Sequence, residues 1–149
     1  MSPRTVAVAS ELPLPPHAVA DLLTRSATLR FVCWPLLVLP DDLPATFVVG
    51  STVELRLRTV AGLPLWRHRI TVESAGSDGA QTSERGGPFR VWRHRLVVRP
   101  LGDGATAYRD EVTVDAGRAT PLTVPLVRAF YRWRHRRWRV LAHGMGASS

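Results

Sequence analysis

Lysine is absent: all twenty basic residues of this 149-residue chain are arginine. Against 12 acidic residues they give a formal charge of +8. Such a balance is a nucleic-acid signal in general. Exclusive arginine, however, follows as readily from a coding bias across a genome as from selection for phosphate contacts. An arginine-rich nucleic-acid binder is therefore kept as a distant alternative. Cysteine is almost absent too. One thiol, Cys33, excludes an internal disulfide framework and fits a reducing compartment. Long apolar runs are missing: the stretch from Phe31 to Leu39 is interrupted by Pro35, far short of the roughly 20 residues that span a bilayer. The N-terminal MSPRTVAVASELPLPP has no continuous apolar core behind a basic start, so no secretion signal is expected. The expected location is the cytoplasm. Nor is there a Gly-x-Ser-x-Gly elbow, a phosphate-cradling glycine loop, or a base adjacent to Cys33.

What is present reads as one folded domain over residues 1–149. The apolar share of 45% is ordinary for a globular chain, and a chain this long buries about 68–70% of its unfolded surface. RTVAVAS (4–10) alternates as a first strand. Pro15 and Pro16 then open a helix over 17–24, since a proline in the first helical turn gives up an N–H that would be unpaired anyway. Ser26 is placed to cap a second short helix, ATLRFV, that must end before Pro35. Residues 36–50 read as a loop. From residue 52 the period becomes two, predicting strands at 52–59, 63–74, 80–85, 90–99 and 106–115. Their separators, among them Gly76-Ser77-Asp78-Gly79 and Gly86-Gly87-Pro88, are turn chemistry, and such short links make an antiparallel meander. Beyond Pro121 a helical period runs to about Ala142. The fold class is α+β: a curved antiparallel sheet of six to seven strands, two short helices after the first strand, and a long C-terminal helix gripped by the sheet.

The tetrapeptide WRHR occurs three times, at 66–69, 92–95 and 133–136. On a strand, alternate side chains share a face. Trp66, His68, Ile70 and Val72 then point one way, and Trp92, His94, Leu96 and Val98 likewise, with the intervening arginines in water. The third copy is helical. There the apolar count favours a stripe of Leu122, Leu126, Ala129, Phe130, Trp133, Val140 and Leu141 facing the sheet. His135 falls nearly opposite Trp133, and Arg128, Arg132, Arg136, Arg139 and His143 form an outer basic face. Arg137 projects into the middle of that stripe and Arg134 sits at its edge. A core arginine must reach an acid, a ligand or solvent, and Arg137 either does so inside or snorkels past the helix end. Tyr131 and Trp138 flank the stripe and extend it sideways, where a second subunit is one partner they fit. WRHR is one strand pattern used twice and a helix pattern used once.

Several segments together resemble the SRPBCC superfamily, the helix-grip fold of START domains, Bet v 1-like allergens and bacterial polyketide aromatase/cyclases. They are Gly87-Pro88-Phe89 followed by Trp92 and His94; Gly104, Thr106 and Asp110; and Phe130-Tyr131-Arg132-Trp133-Arg134-His135-Arg136. The match is to a bacterial ligand-binding branch and spans about residues 4–143. The chain departs from the branch at Leu96, where a second histidine is frequent, at Thr82-Ser83-Glu84, where Asp-x-Gln is frequent, and at Val114, where tyrosine is usual. The resemblance implies a cavity between the sheet and the last helix, holding a small apolar molecule such as a lipid, polyketide or aromatic metabolite.

The alternation supplies candidate walls for such a cavity: Trp66, Ile70, Trp92 and Leu96, then Val112, Val114, Phe130 and Trp133. Its polar groups would be His68, Glu84, His94 and Asp110, with Arg137 at the helix. His94 or His68 paired with Asp110 or Glu84 could serve as a general base in cyclase- or dehydratase-like chemistry. His68, His94 and Glu84 also have the donor types of a metal site, but strands two apart in a meander lie roughly 9.6 Å apart, wide for one ion. Mutual hydrogen bonding is the plainer use. No metal or cofactor is expected. The expected partner is a small hydrophobic ligand, not nucleic acid; peripheral membrane contact through the basic helix face, and a monomer or homodimer, stay open.

Overall fold

The computed structural model describes residues 2–148. Its elements in chain order are β1 (Arg4–Leu12), α1 (Pro16–Leu23), α2 (Ser26–Cys33), β2 (Thr52–Arg58), β3 (Pro64–Gly76), β4 (Gly79–Gly86), β5 (Phe89–Gly102), β6 (Ala105–Asp115) and, after one 3-10 turn, α3 (Thr120–Gly146). The six strands form one curved antiparallel sheet in the order β1-β6-β5-β4-β3-β2. β2 to β6 follow one another as the turn residues require, and β1 returns to pair with β6 at the far edge. α1 caps with Pro15 and Pro16 at its start, and α2 stops at Cys33, ahead of Pro35. Arg25, not Ser26, occupies the position before the first turn of α2. The Ser26 hydroxyl instead reaches the Ala45 carbonyl at 3.4 Å, tying the helix to the following loop.

Period-two burial is regular along β3 and β5. His68, Ile70, Val72, Trp92, His94, Leu96 and Val98 are buried, while Arg67, Arg69, Arg93 and Arg95 are exposed. From β4 into β5 the chain turns through Gly86 and Gly87, with φ of 155° and 60°. A Cβ on Gly86 would come within 2.9 Å of His68 Nδ1, and one on Gly87 within 2.8 Å of the Trp66 ring. Only glycine lets this turn close against the start of β3.

The long helix is rotated from the expected orientation. Beyond Thr120 at its start, its buried residues are Val127, Tyr131, Arg134, His135, Trp138 and Ala142, spaced at helical intervals. Leu122, Leu126 and Val140, expected inside, are 76%, 71% and 58% exposed. Tyr131 and Trp138, expected to flank the stripe, are the helix's central core residues, each 1% exposed. The cause lies in β1 and β6, on which α3 packs: these strands present Ser10 and Asp110, both of which His135 reaches. Arg128, Arg132, Arg136, Arg139 and His143 are exposed as expected. Two apolar clusters result. The larger joins α1, α2 and β2–β5 with Leu12 of β1, Tyr108 of β6 and Trp138 and Ala142 of α3; the smaller, with Val6, Trp92, Val112, Val114, Val127 and Tyr131, lies between α3 and β1, β5 and β6. Among the described residues, no helix is long and apolar enough to cross a membrane.

Candidate functional site

Strand register builds the polar part of the site. Glu84 on β4 stands opposite Ile70 on β3 and Trp92 on β5. The inward residues two positions away on those strands, His68 and His94, therefore flank it diagonally. Asp110 on β6 stands opposite Leu96, again two positions from His94. The result is a buried row: His68 Nε2 lies 2.7 Å from Glu84 Oε2, His94 Nδ1 3.7 Å from Glu84 Oε1, and His94 Nε2 2.6 Å from Asp110 Oδ1. The Trp66 indole donates to His68 Nδ1 at 3.3 Å, which leaves His68 Nε2 as the donor to Glu84. Thr82 donates to the other oxygen of Glu84 at 2.8 Å. From above, the Tyr108 hydroxyl donates to Asp110 Oδ1 at 2.9 Å, and His135 Nε2 to Oδ2 at 3.0 Å. Ser10 Oγ meets His135 Nδ1 at 2.6 Å and accepts from Arg139 at 3.2 Å. Three of the five histidines thus share two carboxylates.

Burial alone would raise both carboxyl groups. Hydrogen bonds from His68 and His94 and the charge of His94 outweigh it at Glu84, which is held well below the usual carboxylate range. At Asp110 the same burial is overcome by the charge of His94 and by hydrogen bonds from His135 and His94. Burial lowers His94, but the charge of Asp110 and hydrogen bonds to Asp110 and Glu84 prevail and raise it above 6.5. Burial also pushes the Cys33 thiol up to about 11, so it stays protonated and inert.

Beside this row lies a cavity of about 120 Å³. Leu55, Leu57, Ile70 and Leu96 form its sheet wall; Leu23, Leu29 and Cys33 come from the short helices; Phe130, Tyr131 and Arg134 come from α3. His68, Glu84, Trp92 and His94 supply its polar edge. Six residues expected on this wall stand elsewhere. Val112 and Val114 are fully buried directly beneath α3, in the second cluster. Asp110 is fully buried behind His94. Trp66 lies over the Gly87 turn. Trp133 is half-buried and its indole donates to the Trp34 carbonyl at 2.9 Å. Arg137 neither enters the core nor snorkels: its Nε donates to the Phe31 carbonyl at 3.0 Å and its guanidinium stacks 3.9 Å from the Phe31 ring, pinning α3 to α2. The arginine that does enter is Arg134, 6% exposed and 4.8 Å above the Tyr131 ring.

Arg134, His135, Tyr131 and Cys33 were not among the expected site residues. The spacing Val127, Tyr131, Arg134, Trp138 is itself a helical stripe, but its polar members hide it from an apolar count. Among the described residues, no group of three or more His, Cys, Asp and Glu side chains is arranged to hold a metal ion. Glu84 is engaged on both oxygens and separates the histidines.

Solved structures share this architecture throughout. A START superfamily protein from Mycobacterium smegmatis superposes with a TM-score of 0.66 at 13% identity, covering 97% of this chain and 99% of that one. The allergen Ara h 8.0201 gives 0.70 at 14%, covering 99% and 100%. The AHSA1 protein from Silicibacter pomeroyi gives 0.71 at 13%, covering 98% and 100%. The chain therefore has the START/Bet v 1 helix-grip fold. No curated protein matches the sequence. A family model described as "Domain of unknown function (DUF8410)" matches residues 10–141, and the chain belongs to that family.

Proposed function

We propose that this protein binds a small hydrophobic molecule in the cavity between the sheet, the two short helices and α3. The observation that carries the reading is the cavity itself: a space of about 120 Å³ with a mainly apolar wall, in a core that is otherwise packed. Engineered apolar cavities of about 150 Å³ stay dry and take up benzene. The guest that fits without rearrangement is one ring or a short chain, not a long lipid. The helix-grip fold, whose common property is a pocket in this place, supports the same reading. Within it, residues 1–149 act as one cytoplasmic domain, in a carrier, sensor or sequestering role and without a cofactor.

Catalysis of the cyclase or dehydratase type is the weaker use of the same groups. His94 stands on the cavity wall, but its Nε2 is committed to Asp110, and its Nδ1 faces Tyr131 at 3.5 Å and Glu84 at 3.7 Å. Both ring nitrogens already face protein partners, which leaves neither turned to a guest for proton abstraction. Nucleic-acid binding gains nothing from β3 and β5, where the aromatic residues between the exposed arginines Arg67, Arg69, Arg93 and Arg95 belong to the inward face and offer those arginines no stacking partner.

Thermal unfolding against single-ring aromatics and short-chain lipids tests the proposal. A guest at a hundredfold excess over its Kd stabilises by about 2.7 kcal/mol, or roughly 5–10 °C for a domain of this size. The gain should persist in His94→Gln and vanish in Leu55→Trp, which fills the cavity. A panel without any stabilising compound, or one whose effect survives the filled cavity, contradicts it.

A further inference from the structure

Among the described residues, three buried side-chain donors have no hydrogen-bond partner: Trp92 Nε1, Arg134 Nε and Trp138 Nε1. Two of them, Trp92 and Arg134, belong to side chains on the cavity wall; Trp138 does not. They approach from different elements, β5 and α3. Buried donors are costly unless paired, and neither of these two reaches an acceptor of the protein. Glu84, the wall's only carboxylate, already accepts from Thr82 on one oxygen and from His68 on the other. Two donors of wall residues are thus left over.

This core already holds two buried carboxylates, Glu84 and Asp110, both kept ionised by their neighbours. An added anion would bring a further negative charge into an apolar space, at high cost. A neutral oxygen acceptor adds none.

We infer that the guest carries an uncharged carbonyl oxygen on a single-ring or short-chain apolar body, with the oxygen accepting from Arg134 and Trp92 and the body filling the space between Leu55, Ile70 and Leu96. This rests on the binding reading above and sharpens it: the cavity selects ketones, aldehydes or esters over hydrocarbons and over acids of the same size.

Acetophenone, ethylbenzene and benzoate are matched probes, titrated into the full chain by calorimetry and by NMR of the five tryptophan indole N–H signals, with Trp92→Phe assigning the relevant one. Acetophenone is expected to bind roughly tenfold or more tightly than ethylbenzene, the effect of pairing an otherwise unsatisfied donor. It should move the Trp92 indole signal, and the preference should shrink in Trp92→Phe and in Arg134→Met. Because Arg134→Met removes a buried cation, the indole shift in the unsubstituted protein is decisive if that variant fails to fold. Equal affinity for acetophenone and ethylbenzene overturns the carbonyl inference while leaving the cavity reading intact. Tighter binding of benzoate than of acetophenone overturns the uncharged guest. Failure of all three to bind overturns both this inference and the binding reading.

Discussion

The same four residues, WRHR, behave differently on strand and helix. In β3 and β5 the tryptophan and histidine turn inward together and both arginines stay in water. In α3 it is the adjacent pair Arg134 and His135 that is buried, at 6% and 1% exposure, while Trp133 is half-covered and Arg136 is exposed. A period of two separates neighbours onto opposite faces; a period of 3.6 lets two neighbours straddle one face. The strand copies therefore make wall, apolar ring and imidazole in alternation. The helical copy delivers concentrated polarity to the core, and only the acceptors on β1 and β6 make that tolerable. His135 finds Ser10 and Asp110. Arg134 finds the Tyr131 ring and is left with an unpaired Nε.

Asp110 is where the two uses of the motif meet, because it accepts from His94 of one strand copy and from His135 of the helical copy. Replacing it should break both. Asp110→Ala leaves the buried donors of His94, Tyr108 and His135 without their acceptor, and breaking such a buried cluster costs about 3–5 kcal/mol, read by urea unfolding. Within the helical copy alone the contrast is sharper: His135→Ala should cost about 2 kcal/mol, whereas its exposed neighbour Arg136→Ala should stay within about 0.5 kcal/mol. Equal effects would mean the helix is not rotated as described. The strand copies should give the inverse pattern of positions, with Arg93→Ala and Arg95→Ala within about 0.5 kcal/mol.

Acidity probes the same junction more gently. Glu84 and Asp110 are depressed below their ordinary values of 4.5 and 3.8, so their stabilisation is complete above that range and is lost as pH falls through the depressed values. His94 is raised above 6.5, so its contribution is complete below 6.5 and fades as pH rises through the raised value. Stability should peak between about pH 5 and 6.5 and decline on both sides. Asp110→Asn should flatten both limbs, since it removes one carboxylate and the charge that raises His94. Unfolding free energies across pH measure this directly.

The parts of this fold that were legible in the sequence are those whose signal is local. Alternation in 63–74 and 90–99 and glycine-rich turns placed β3 to β5 to within two or three residues and aimed His68 and His94 inward. The rotation of α3 was not local. Leu122, Leu126 and Val140 outweigh Arg134 and His135 in any apolar count, yet they are exposed, because what holds His135 inside is Ser10, 125 residues away, and Asp110 from another strand. That misplacement carried Trp133 and Arg137 to the wrong side of the site and hid Arg134. Val112 and Val114 were correctly aimed inward, but inward on β6 means the underside of α3, not the cavity; the pattern of one strand does not say which element covers it.

Xenon binding to crystals under pressure tests the central claim most directly, because a dry apolar cavity admits xenon without help from polar groups. The account predicts a xenon atom enclosed by Leu55, Ile70 and Leu96, and none in crystals of the Leu55→Trp variant. Unsubstituted crystals with no xenon at that position, or with ordered water filling it, would contradict the account.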